Sequence, residues 1–170
     1  MLRSYFQLRQ RLDRLVESII ARYPDQIFCR PGCASCCVGG LTLCAVEAVA
    51  LGEGLGIERD RVHLQAGQSP LHADGQCAFL DADTLCRVHA HRPLICRTQG
   101  MPLLHPDSEG VSTCELNFRS LDPHPTAVVH MENLETTLFA ANLTYCRTAG
   151  LHPMVRMPMD RLAQLSGIID

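Results

Sequence analysis

Four cysteines fall within nine residues, Cys29-x3-Cys33-x2-Cys36-Cys37, inside the segment FCRPGCASCCVGG. Thiolate is a soft, charged ligand suited to zinc and iron, and a two-residue gap lets one turn of backbone offer two sulfurs to the same ion. Neighbouring side chains diverge, so Cys36 and Cys37 are expected to serve different partners or different metals. A second, dispersed group, Cys77, Cys86, Cys96 and Cys114, brings the total to eight thiols. That is enough for two four-thiolate sites, or for one cluster with thiols to spare. Spacing alone does not say which four share a site, so all eight stand as candidate metal ligands.

Around these thiols stand residues with more than one reading. Arg92 and Arg97 flank Pro93 and Cys96. Guanidinium groups there would donate hydrogen bonds to sulfur or hold an anion, offsetting the roughly two negative charges that four thiolates leave around Zn²⁺. As ordinary surface arginines they would simply pair with carboxylates. His89 and His91 lie between Cys86 and Cys96, where either is able to replace a thiol, although eight thiols already suffice. The other six histidines have no paired spacing and read as surface or structural. Cys44 and Cys146 fall on predicted helices and read as small buried hydrophobes. No catalytic residue emerges. Cys–His chemistry needs a free reactive thiolate, Asp81 and Asp83 fit a solvated turn, and Asn117 fits stabilisation of the loop after Cys114.

Taken together, Cys29-x3-Cys33-x2-Cys36-Cys37, Cys77-Ala-Phe-Leu, Cys86-Arg-Val-His-x2-Arg92-Pro93-x2-Cys96-Arg97 and Cys114 resemble the CxxCxxCC family, the YkgJ-like zinc- or iron-chelating domains. The resemblance covers roughly residues 28 to 119 and is carried most specifically by CRVHAHRPLICR and the cysteine-pair loop. Two departures are visible: the first gap is three residues where the family name has two, and His89 stands where tyrosine is frequent. Neither removes a thiol. The resemblance implies chelation of zinc or iron, the latter including a 4Fe–4S cluster. The pattern is also similar to the cysteine-rich portion of flagellin lysine-N-methylases, which implies an alternative as an iron–sulfur enzyme or electron-transfer protein. A shared metal module does not specify a shared reaction.

Composition bounds the rest. A chain of 170 residues fits one domain and can bury a core unaided. With 46% hydrophobic and 19% charged residues it is globular in character. A formal charge of −3 provides no basic surface for nucleic acid. All 15 basic residues are arginine, which excludes Schiff-base lysine chemistry and a P-loop lysine. Met1 to Arg14 distributes charge throughout with no apolar core, so no signal peptide is expected. No stretch approaches the roughly 18 apolar residues of a membrane span. The expected compartment is therefore a reducing cytoplasm, with a metal ion or cluster as partner, no nucleic acid, no membrane and no identified protein partner.

These thiols need elements to position them. Leu8, Leu12, Leu15, Val16, Ile19 and Ile20 predict a helix over 2–23, ended by Pro24. Thr42 is expected to cap a helix over 43–55, followed by a short helix over 58–66 and a turn-rich linker over 69–75. Residues 77–80 predict a short strand, 81–84 a turn, 86–91 a strand or helical turn, and 114–119 one helical turn. Pro93 favours an extended Arg92. Met131, Leu134, Leu138, Ala141 and Tyr145 line one face of a predicted helix over 128–148, ended by Gly150, and a last helix spans 160–167. The fold class is mainly α, with irregular cysteine-rich metal-binding loops and little strand. A single small domain is expected, organised as an N-terminal helix (1–27), a metal-chelating domain (28–119) and a C-terminal helical extension (120–170).

Overall fold

The apolar stripe of the first twenty residues does what its period requires. In the computed structural model, which describes residues 1–72 and 74–169, helix α1 runs Arg3–Arg22 and buries Tyr5, Leu8, Leu12 and Ile19. Leu15 and Val16 pack at the edge of the core, and Ile20 stays 44% exposed. The stripe is thus narrower than the sequence predicts. The Tyr23 N–H closes the last turn on the Ile19 carbonyl before Pro24 breaks the pattern.

The second expected helix begins later than predicted. Thr42–Cys44 is a strand, β1, and helix α2 occupies Ala45–Gly54. Thr42 does not cap it, since Cys44 holds the N-cap position, and the Thr42 hydroxyl and carbonyl instead both accept from the Arg156 guanidinium. Every residue from Ala45 to Gly52 is buried, so α2 is the central rod of the fold and is enclosed on all sides. A Cβ at Gly52 would lie 2.6 Å from Val62, which is how α3 (Arg59–His63) approaches so closely.

After the linker the chain is irregular until α4 (Leu94–Thr98), which a 3₁₀ turn at His89–His91 precedes. Ala73 of the expected linker lies outside the described residues. The segment 77–80 is a turn and not the predicted strand: only Gln76 and Leu80 make single bridges, to Val38 and Cys86, and the Leu80 N–H folds back on the Cys77 carbonyl. The turn over 81–84 forms as expected, held by the Asp81 carboxylate accepting from the Asp83 and Leu85 amides. Arg92 is extended (φ −50°, ψ 136°), as the following proline demands.

Strands β2 (Leu103–Leu104), β3 (Val111–Ser112) and β4 (Val129–His130) form a small sheet in the order β3-β2-β4, antiparallel on one side and parallel on the other. Pairing of Val129–His130 with β2 delays α5, which runs Met131–Ala149 and not from Val128. Gly150 ends it with φ +68°, a left-handed cap. Strand β5 (Arg156–Pro158) then pairs antiparallel with β1, Leu43 opposite Met157, and leads into α6 (Met159–Leu165). Helix α1 packs on α4 and α5, and α2 packs on α3, α5 and α6. The outcome is a small, mainly helical domain with little strand. No helix among the described residues is long and apolar enough to cross a membrane.

Candidate metal centre

Two crossings of irregular chain are stitched together where the cysteines lie. The Cys77 N–H donates to the Cys37 carbonyl at 3.0 Å, Val38 bridges to Gln76, and the Gly39 N–H donates to the Gly75 carbonyl at 2.8 Å. Within the first loop, the Cys33 N–H returns to the Arg30 carbonyl and the Cys37 N–H to the Ala34 carbonyl, both at 2.9 Å. The Thr84 hydroxyl donates to the Gly32 carbonyl at 3.0 Å, pinning the tip of that loop to the 81–84 turn.

At the other end the loop is held by Asn117, which is only 2% exposed. Its side-chain oxygen accepts from the Phe28 N–H at 2.8 Å, and its NH₂ group donates to the Gly100 carbonyl at 2.7 Å and to Cys29 Sγ at 3.4 Å. Its own N–H donates to the Cys114 carbonyl. Gly100 adopts φ +82°, and a Cβ there would sit 2.4 Å from Cys29 Sγ, so the glycine leaves a cradle that the sulfur fills.

Cys96 arrives on α4. The buried Glu47 carboxylate accepts from the Leu94 N–H at 2.9 Å and so caps this short helix, while Cys44 Sγ approaches its other oxygen at 3.6 Å. Burial pushes the Glu47 carboxyl up, opposed by the Leu94 and Cys44 hydrogen bonds. Arg97 donates to Asp13 of α1 at 2.6 Å, to the Ala90 carbonyl and to the Arg92 carbonyl, which fastens α4 to α1. Arg92 donates to the His89 carbonyl at 3.1 Å.

These constraints surround one cavity of about 520 Å³. Cys29, Cys33, Cys36, Cys37, Cys77, Cys86 and Cys96 line it, together with Arg92, Arg97 and His89; its apolar walls include Val16, Phe79, Met101 and Met159. Of the eight patterned cysteines only Cys114 lies off the lining, joined to Cys29 through Asn117. Cys44 and Cys146 are buried elsewhere, next to Glu47 and Asn142, as expected of small hydrophobes. All ten cysteines are free.

Electrostatics sorts the thiols. Burial pushes the Cys29 thiol up, Asn117 opposes this, and Cys33, Cys114 and Cys36 add to the rise. Burial also raises Cys36, with Cys37 and Cys33 contributing. For Cys37 the cause after burial is Cys77, then Cys86, with Arg92 pulling down. Cys77 rises through burial and Cys86, opposed by a backbone hydrogen bond at Phe79. Cys96, the most enclosed of these thiols, is pushed up to about 12 by burial and by Cys77, Cys86 and Cys37, against Arg92. Burial lowers His89, as do Arg92 and Arg97.

Among the described residues, no three His, Cys, Asp or Glu side chains already converge at ligating geometry. The sulfurs surround a space and have not closed on a point. No Asp or Glu is among the described residues of the lining. A donor set of seven free thiols and one imidazole, without carboxylates, fits zinc or iron and is poorly matched to magnesium or calcium. Sequence reasoning missed Glu47, Gly100 and Asp13 as supports. The one visible signal was Glu47, a lone charge within the apolar run AVEAVALG.

A family model described as a "putative zinc- or iron-chelating domain" matches residues 28–118, more than half of the chain. No curated protein and no solved structure matches the chain.

Proposed function

The chain belongs to the CxxCxxCC family, and from that premise we propose that it is a metal-binding protein whose clustered cysteine thiolates hold zinc or iron, the iron as an iron–sulfur cluster. The observation that carries this reading is the single cavity lined by seven of the eight patterned cysteines and by no described carboxylate. Cys29, Cys33, Cys36, Cys37, Cys77, Cys86, Cys96 and Cys114 are the proposed ligands. The chelating part is residues 28–119, and the helices on either side brace it, α1 by holding Arg97 through Asp13.

Chelation follows from the chemistry of the lining. A metal displaces the thiol protons and stabilises the thiolates, so ligation draws the sulfurs inward from their present positions. The Arg92 guanidinium, which already lowers Cys37 and Cys96, offsets part of the accumulated negative charge. Arg97 acts indirectly, by fixing the helix that carries Cys96. A reducing cytoplasm keeps all eight thiols available.

Iron–sulfur chemistry, for electron transfer or as part of an enzyme, is the second reading. It is favoured by the number of thiols on one lining, seven where a single ion takes four. Metal and acid-labile sulfide analysis of anaerobically purified protein tests both. Zinc without sulfide supports the first form, and iron with equimolar sulfide supports the second. Well-folded protein free of either metal contradicts the proposal.

A further inference from the structure

We infer that the eight thiols form two adjacent four-thiolate centres: Cys29, Cys33, Cys36 and Cys114 in one, and Cys37, Cys77, Cys86 and Cys96 in the other, with the Cys36–Cys37 peptide bond as the wall between them. The inference rests on the metal-binding reading above and deepens it by assigning each sulfur to a site.

Backbone hydrogen bonding carries the assignment. Cys37 and Cys77 are joined through the Cys77 N–H and the Cys37 carbonyl at 3.0 Å. The turn that begins at Cys77 closes on Leu80, and Leu80 pairs with Cys86, so three of these thiols stand on neighbouring strands of chain. Helix α4 delivers the fourth, Cys96, to the wall of the cavity that Cys37, Cys77 and Cys86 also line. A different scaffold gathers the other set. Asn117 ties Cys29 Sγ to the turn whose first carbonyl belongs to Cys114. The Arg30–Cys33 and Ala34–Cys37 turns coil the first loop so that Cys29, Cys33 and Cys36 share one lining.

The sequence-adjacent pair is where the sets meet. Cys37 is hydrogen-bonded through its carbonyl to Cys77, whereas Cys36 lies inside the Ala34–Cys37 turn of the first loop. Two divalent ions, each in four thiolates, would carry like net charge at short range, so the second ion binds more weakly than the first.

The test is a cobalt(II) titration of reduced, metal-free, full-length protein under anaerobic conditions, followed by thiolate-to-cobalt charge transfer and by bound metal. The expected end point is two cobalt ions per chain, reached in two steps. Cys114→Ser and Cys86→Ser are each expected to remove about half of the thiolate signal and leave one tightly held ion. A wild-type end point of one ion with full thiolate signal overturns the partition but leaves the metal-binding reading standing. So does total loss of signal in both folded variants. A wild-type chain that binds no cobalt overturns both. If a serine variant loses its helical circular dichroism, the wild-type end point decides alone.

Discussion

Cys77 donates its backbone N–H to the carbonyl of Cys37 at 3.0 Å, and this one bond fixes the last cysteine of the first loop beside the first cysteine of the second segment. Residues far apart in sequence thereby share a cavity wall, and the consequences can be measured.

Metal content should separate the patterned cysteines from the buried ones. Cys96→Ser is expected to lower bound metal markedly, because Cys96 lines the cavity. Cys146→Ser should leave it unchanged, since that thiol is buried beside Asn142 on α5. Elemental analysis of both variants, purified side by side, checks this; equal metal in the two would remove the ligand assignment.

Asn117 connects three segments through a single buried amide. Replacing it with alanine leaves the Phe28 N–H and the Gly100 carbonyl without partners, at an expected cost of about 1–3 kcal/mol. Chemical denaturation of the metal-loaded protein would register the loss. A stability equal to wild type would mean that solvent readily replaces Asn117.

Gly100→Ala meets two obstacles at once. The residue sits at φ +82°, and the added methyl would fall 2.4 Å from Cys29 Sγ. Backbone strain alone is expected to cost about 1–2 kcal/mol. Because the sulfur must also move, metal affinity should fall with stability; a competition titration against a chelator measures the first and urea denaturation the second, and wild-type values in both would contradict the account.

Glu47 distinguishes a cap from a charge. Glu47→Gln keeps an oxygen for the Leu94 N–H and should retain metal, whereas Glu47→Ala leaves that amide unpaired and should destabilise by about 1–3 kcal/mol. Thermal melts of the pair check the difference. Similar melting of both variants would show that the cap at α4 contributes nothing.

Cys44 sets an alkaline limit. Burial, reinforced by Glu47, raises its thiol from 9.0 to about 12. The folded state therefore holds a proton that the unfolded state releases, so this stability is complete below about pH 9 and is lost as pH rises towards about 12. Wild type should lose more stability across that window than Cys44→Ala, as read from denaturant midpoints at several pH values. Parallel losses would exclude Cys44 as the titrating group.

Much of this arrangement was legible in the residues themselves. Helix α1 follows from the spacing of Leu8, Leu12 and Ile19, and α5 from Met131, Ala141 and Tyr145, because a buried stripe repeats with the period of the helix. Cysteine spacing by itself points to soft-metal chemistry. What stayed hidden depends on long-range pairing. Thr42 looks like a cap until Arg156 occupies it, and 77–80 looks like a strand until its amides turn back on themselves. The gathering of seven cysteines on one cavity was equally invisible, since Asn117 and the Cys37–Cys77 bond join segments that no local pattern relates. Arg97 reads as a partner for sulfur in its motif, yet its strongest bond is to Asp13 on another helix.

X-ray absorption at the metal edge of anaerobically prepared native protein asks the central question most directly. A shell of sulfur at about 2.3 Å from zinc, or sulfur with a neighbouring iron shell, is the predicted result. A shell of light nitrogen and oxygen atoms would contradict the thiolate account.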